Sequence, residues 1–225
     1  STPIKSSAAS DVYKRQTIGF FDGVHRGHRY LIEQVREVAA AHGFASGVVT
    51  FPVHPRKVVQ PEYHPELLTT CEEKVSLLAE TGLDYCMMLD FTSDVAILSA
   101  KEFMLFLYNH YNIRALVIGY DHRFGHNRSE GFDDYVRYGQ ELGIEVILAR
   151  AYIDKDVAVS SSVIRQLLSE GNVSEAAACL GYDYFLNGMV VSGYRVGRKI
   201  GFPTANLRVD DPDKLVPVSY THLRA

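Results

Sequence analysis

Between residues 17 and 149 the chain alternates short apolar runs with longer stretches whose apolar residues recur every three or four positions. The short runs are TIGFF (17–21), SGVVTF (46–51), YCMMLDF (85–91), RALVIG (114–119) and IEVILA (144–149). Helical patterns lie between them: one reaching about Ala41, then CEEKVSLLAE (71–80), AKEFMLFLYNHY (100–111) and FDDYVRYGQELG (132–143). Strands that alternate with amphipathic helices form right-handed β-α-β crossovers, which places them in one parallel sheet covered on both faces. The expected fold is therefore α/β, a doubly wound parallel sheet of the Rossmann-like kind. Such sheets bind ligands beyond the carboxyl ends of their strands, where the strand order reverses. The loops at 19–28, 51–65 and 119–131 all leave strands by that end.

Past the last of these strands the pattern changes twice. VAVSSSVIRQLLSEGNVSEAAACLG (157–181) reads as two short helices divided at Gly171. YFLNGMVVSGYRVGRKIGFPTANLRV (184–209) then shows frequent glycines, alternating apolar residues and no helical period, the pattern of opening β-strands. The expected organisation is one domain over 17–183 and the first strands of a truncated β-barrel domain over 184–216. Residues 1–16 depart from the pattern, because Lys14, Arg15 and Gln16 stand where a buried first strand should be apolar. They are expected to be non-native or disordered, to stay exposed and to add little stability. Residues 217–225 are expected to be a non-native tail.

Composition narrows the function. The 225 residues are 47% hydrophobic and 22% charged, an ordinary globular balance, and the formal net charge is -4. A net negative chain is a poor partner for a nucleic-acid backbone or an acidic membrane, which need a surplus of Lys and Arg. Any phosphate bound is expected to be a small molecule's. The three cysteines are scattered without CxxC spacing, so neither a disulfide framework nor a zinc site is expected, and a reducing cytoplasm fits best. No apolar run approaches the roughly 18 residues of a membrane span.

Within GFFDGVHRGH (19–28), His25 and His28 sit one helical turn apart at the start of a helix, on the side where its free N–H groups point. Gly27 between them has no Cβ, which lets an anion approach a backbone whose dipole favours it. The alternative is a chance surface or metal-binding pair, less fitting between a strand and a helix with Gly23 and Gly27 flanking. In VSSSVIRQLL (159–168), Ser160 or Ser161 would cap a helix whose first turn carries Ser162 and Arg165. Hydroxyls, free N–H groups and a guanidinium fork suit phosphate oxygens, although a plain capped helix has the same pattern.

These two motifs, with GYDHRFGHNR (119–128), resemble the adenylyltransferase half of the bacterial bifunctional riboflavin kinase/FAD synthetase family. That family shows G-x-F-D-G-V-H-x-G-H, TF-x-P-H-P, G-x-D-F-R-F-G and S-S-T-x-I-R in this order, and the resemblance covers about residues 17–216. It implies an HxGH nucleotidyltransferase that moves AMP from ATP to FMN, giving FAD and pyrophosphate, with Mg²⁺ accompanying the ATP. By the resemblance, His25, His28 and Arg165 are catalytic; Gly19, Phe20, Asp22, Gly27, Ser161 and Ser162 bind ATP. Asp121, Arg123 and Phe124 bind the flavin, and no residue is assigned to a protein-held metal. GRKIGFPTANL (197–207) is similar to the start of the family's riboflavin kinase module, where Thr204 and Asn206 are expected to meet the nucleotide. The family's catalytic glutamate lies further downstream, so phosphorylation of riboflavin is not expected of this chain. Expected partners are ATP, FMN and riboflavin-type small molecules, not nucleic acid or membrane.

Four positions depart from the family pattern. His122 replaces a phenylalanine, Ser162 stands where threonine is common and keeps the hydroxyl, and Pro52-Val53 replaces an acidic residue and a proline. The rival readings are another HxGH nucleotidyltransferase, acting on pantetheine phosphate, nicotinate mononucleotide or an alcohol phosphate, and a flavin- or nucleotide-binding module without turnover. A metal hydrolase would need a third ligand near His25 and His28, for which Asp22 is the near candidate.

Overall fold

The computed structural model describes residues 14–119, 122–126, 129–153 and 159–217. In chain order its elements are β1 (Lys14–Ile18), α1 (Arg26–Ala41), β2 (Ala45–Thr50), α2 (Pro55–Val59), α3 (Cys71–Ala79) and β3 (Tyr85–Met88). Next come α4 (Ser93–Ala96), α5 (Ala100–Tyr111), β4 (Ile113–Ile118), α6 (Phe132–Leu142), β5 (Glu145–Leu148), α7 (Ser161–Ser169) and α8 (Val173–Leu180). The last are β6 (Met189–Val191), α9 (Val196–Lys199) and β7 (Asn206–Arg208). Local chemistry sets several boundaries. Thr70 with Glu73 and Ser99 with Glu102 form capping boxes at the starts of α3 and α5, and left-handed Gly143 and Gly181 end α6 and α8.

Strands β1 to β5 form a parallel sheet in the order β3-β2-β1-β4-β5, so the order reverses between β1 and β4. Adjacent strand residues point to opposite faces and feed two different cores. Val49, Met87 and Leu116 join Phe103, Met104 and Tyr135 of α5 and α6, whereas Val48, Cys86 and Val117 join Ile32, Val35 and Leu77 of α1 and α3. A third cluster unites Ile164, Leu168 and Leu180 of α7 and α8 with Leu68 and Leu215.

The first strand corrects, for residues 14–16, the expectation that residues 1–16 stay outside the fold. Residues 14–16 belong to β1 in the centre of the sheet, with Lys14 and Arg15 each 3% exposed and Gln16 fully buried. Residues 1–13 and 218–225 lie outside the described residues. The cations are accommodated at the amino end of the strand by distant partners. Arg15 reaches the half-exposed Glu145 at 2.7 Å and lies 5.2 Å over the Phe44 ring, and the Lys14 ammonium lies 5.2 Å over Tyr85. Burial lowers the Lys14 pKa, and Arg15 Nε and Nη1 have no hydrogen-bond partner among the described residues, so the strand carries its charge at a cost. The sheet therefore begins three residues before TIGFF, and Gly19, Phe20 and Phe21 already belong to the turn that leaves it.

Beyond residue 183, β6 and β7 make a short antiparallel pair with Val190, Tyr194 and Phe202 exposed, in keeping with the start of a barrel. Residues 211–217 then return to the α/β core. Lys214 and Leu67 form a parallel bridge, and Lys214 and Leu215 are both buried. Among the described residues no helix is long and apolar enough to cross a membrane, and Cys71, Cys86 and Cys179 are free thiols.

Candidate active site

The turn after β1 is built under strain. Phe21 and Val24 have φ of 55° and 37°, in the left-handed region that bulky side chains avoid. Three groups from elsewhere hold it. Thr69 Oγ1 accepts the Gly23 N–H at 3.1 Å, the Tyr182 hydroxyl donates to the Gly23 carbonyl at 2.6 Å, and the Ser161 hydroxyl donates to the Asp22 carbonyl at 3.0 Å. The last contact brings the start of α7 against the turn, so the two sequence motifs meet.

His25 caps α1, its Nδ1 accepting the His28 N–H at 3.3 Å. An accepting Nδ1 carries no proton, so the neutral ring holds its proton on Nε2 and presents a donor there. The two imidazoles stack with centroids 3.6 Å apart. A Cβ at Gly27 would lie 3.2 Å from the His25 ring, so the helix start has no room for a larger residue without displacing the histidine. Burial, then the Arg165 charge, depresses the His25 pKa to about 4; burial, followed by His25, His122 and Lys74, takes that of His28 well below 6.5. Both rings are therefore neutral near pH 7 and offer dipolar N–H groups rather than positive charge.

On the facing side, Ser160 caps α7 and Arg165 Nη2 pairs with Asp22 Oδ2 at 3.0 Å, while Nη1 lies 3.4 Å from the Ser162 hydroxyl. Asp22 was expected at the nucleotide, but it is 4% exposed and committed elsewhere. Its Oδ1 accepts the N–H groups of Leu68 and Thr69 at 2.9 and 3.2 Å, and its other oxygen holds Arg165. Both of its oxygens are therefore engaged, one with the turn's backbone neighbours and one with the guanidinium. Two buried polar atoms here, His28 Nδ1 and Arg165 Nε, have no hydrogen-bond partner among the described residues. Such orphans at one place are the sign of an absent polar partner.

A second cavity, of about 550 Å³, opens beside the turn, walled by Phe20, Phe51, His54, Phe91 and Phe124. Gly19 and Phe20, expected to bind ATP, line this aromatic cavity. Phe124 is fixed by a ring stack on Tyr135 at 4.2 Å, whose hydroxyl accepts the Phe124 N–H at 3.1 Å. Gly125 has φ +95°, and a Cβ there would meet the Ala100 nitrogen at 2.7 Å, so this loop conformation demands glycine. Arg123 and His122 join the same wall, and Asp121 lies outside the described residues. Thr204 and Asn206 are exposed, in the antiparallel segment.

Two contributors went unread in the sequence. Lys74, 2% exposed on α3, donates to the Phe51 carbonyl at 2.7 Å and lies 3.9 Å over the Phe20 ring, with burial bringing its pKa down to about 8. Thr69 holds the turn. A lysine on the core side of CEEKVSLLAE is the one local sign; Thr69 offers none.

The depressed His25 pKa predicts a pH-dependent stability. Unfolded His25 takes up a proton near pH 6.5 and folded His25 near pH 4, so its contribution is whole above pH 7 and is lost as pH falls through that window. Urea unfolding should give about 2 kcal/mol less stability at pH 5.0 than at pH 7.5 from this residue, and His25→Gln should show a correspondingly smaller drop. Equal drops in both proteins would remove His25 as the source.

A parallel sheet of this order, with an HxGH turn at its reversal point, defines an α/β nucleotidyltransferase-like fold. The chain belongs to the FAD synthetase family, whose model matches residues 9–163, and a riboflavin kinase family model matches residues 180–222. It is 36% identical over 192 residues to the bifunctional riboflavin kinase/FMN adenylyltransferase of Escherichia coli K12, covering 85% of this chain and 61% of that protein. The Listeria monocytogenes protein of that name is 34% identical over 220 residues, covering 96% of this chain and 68% of its own length. A crystal structure described as a macrolide-efflux protein from Streptococcus pneumoniae superposes with a TM-score of 0.78 at 33% identity, over 90% of this chain and 67% of that one. The chain thus spans about three-fifths of the Escherichia coli relative, 61%.

Proposed function

We propose that this chain transfers AMP from ATP to the phosphate of FMN, releasing FAD and pyrophosphate. The observation that carries the reading is the convergence of two helix starts, α1 with His25 and His28 and α7 with Ser161, Ser162 and Arg165, next to a cavity walled by aromatic rings. Phosphates belong to the first and a flat ring system to the second.

A phosphate oxygen of FMN attacks the α-phosphorus of ATP, and the bond from that phosphorus to the bridging oxygen breaks, so pyrophosphate leaves with the electron pair. The nucleophile arrives ionised, since a phosphomonoester loses its second proton near pH 6. No protein base is needed. The residues' work is alignment and stabilisation of the charge that moves onto the leaving group. The Nε2–H of His25 and the ring N–H of His28 supply neutral donors at one side, and Arg165 supplies the fork at the other, kept in place by Asp22. Arg123 and Phe124 shape the flavin side, joined by Gly19 and Phe20. Mg²⁺ belongs to the nucleotide substrate in this reading. Thr204 and Asn206, within residues 184–216, retain nucleotide contact as part of this proposal.

Incubation with FMN and Mg-ATP, resolved by chromatography, should yield FAD and pyrophosphate in equal amounts; no FAD at saturating substrates would end the proposal. Arg165→Lys keeps the charge but not the planar fork, and its affinity for ATP and pyrophosphate should weaken about tenfold by calorimetry. Parent-like affinity would leave Arg165 a helix-packing residue.

A further inference from the structure

Segment 211–215 comes from the second unit and ends against the first. Its backbone pairs with Leu67 on both sides: the Leu67 N–H donates to the Asp213 carbonyl at 2.6 Å, and the Leu215 N–H donates to the Leu67 carbonyl at 2.7 Å. The Tyr184 hydroxyl donates to the Leu215 carbonyl at 2.6 Å and Lys57 pairs with Asp213 at 2.6 Å. Pro212 of the same segment lines a cleft together with Arg165 and His64.

At the centre is Lys214, whose side chain is 1% exposed. Its ammonium donates to Glu73 Oε2 and to the Leu68 carbonyl, each at 2.7 Å, and sits 4.6 Å over the Tyr184 ring. Glu73 is fully engaged, accepting also the Thr70 N–H at 3.0 Å and the Asn187 side-chain amide at 3.0 Å.

The peptide unit between Leu68 and Thr69 therefore lies between two opposite charges. Its carbonyl oxygen faces the Lys214 ammonium and its N–H faces the Asp22 carboxylate. A peptide polarised in this way is a better donor to Asp22 than one whose carbonyl faces solvent. Asp22 in turn fixes Arg165. The series ammonium, peptide, carboxylate and guanidinium runs from the second unit to the phosphate side of the candidate site, with every connection 3.2 Å or shorter.

From this we infer that Lys214 is a positioning residue for adenylyl transfer: acting through the Leu68–Thr69 peptide and Asp22, it sets the place of Arg165. The inference rests on the proposed reaction for its kinetic readout only, since nucleotide binding reports on it independently. It also means that residues beyond 183 contribute to the first unit's site.

The test uses the full chain carrying Lys214→Met, Lys214→Arg or Asp213→Asn, with ATP affinity by calorimetry and FAD formation at varied ATP and FMN. Lys214→Met should bind ATP about tenfold more weakly and turn over about tenfold more slowly, with the KM for FMN unchanged. Lys214→Arg, which can still donate to Leu68, should recover to within about threefold. Asp213→Asn loosens the same segment at its Lys57 pair without touching Leu68, and should stay within about twofold of the parent. Should Lys214→Met lose its folded circular-dichroism spectrum, Lys214→Gln, which keeps a donor without the charge, takes its place with about threefold effects expected. Parent-like ATP affinity in the charge-removing variant overturns the inference. So does an equal loss in Asp213→Asn, which would make the segment a structural support only. A parent chain that binds ATP but makes no FAD overturns the proposed reaction, while the calorimetric comparison still decides the role of Lys214.

Discussion

His28→Ala should lower the rate of FAD formation by about 10²–10³-fold, equivalent to about 3–4 kcal/mol, and change the KM for ATP little. The expectation follows from what this imidazole is. It is partly buried, neutral near pH 7 and stacked on His25, with a ring nitrogen that has no partner among the described residues. A neutral donor gains most from an acceptor whose negative charge is increasing, as on the departing phosphate, so its contribution is concentrated in the transition state. Steady-state rates at varied ATP distinguish the cases. Unchanged turnover with a raised KM would make His28 a ground-state binding residue.

Asp22→Asn should cost about 3 kcal/mol of stability and lower turnover as well. Removing one partner of a buried ion pair leaves the other uncompensated, which costs about 3–5 kcal/mol, and the 28% exposure of the Arg165 side chain places this pair near the lower end. The amide that replaces the carboxylate also turns a donor towards Leu68, Thr69 or Arg165, all of which are donors themselves. Urea denaturation should show a lower midpoint at unchanged slope. A shift worth less than 1 kcal/mol would mean that the turn is held chiefly by Thr69 and Tyr182.

The sheet and its helices were legible because their apolar periodicities, two and three to four, are local properties of the chain. The same holds for His25, His28 and the Ser160–Arg165 helix start, each announced by residue type beside a capping or turn signal. Strand β1 was not legible at its first three residues. Lys14, Arg15 and Gln16 argue against a buried strand until Tyr85, Phe44 and Glu145 are known to surround them, and those residues are distant in sequence. Asp22 was found by its motif, but its partners, the Leu68 and Thr69 backbone, are invisible in that motif. Lys214 gave no signal and Lys74 only its place on the core side of a helical pattern, since each acts through a backbone carbonyl contributed by a remote loop.

The strain at Phe21 and Val24 bears on how the HxGH turn should be understood as a signature. Both residues hold costly left-handed backbones, and both are buried in one hydrophobic cluster, at 3% and 0% exposure. A strained φ costs about 1–3 kcal/mol and burying such a side chain returns about 1.5–3 kcal/mol, so the two nearly cancel. Glycine would relax the backbone and empty the core; a polar residue tolerant of this φ would bring an unpaired group into it. Few exchanges satisfy both demands, whatever chemistry takes place at the histidines. Part of what makes this stretch recognisable is therefore a solution to a folding problem, and a protein that abandoned the reaction would still have reason to keep its spelling.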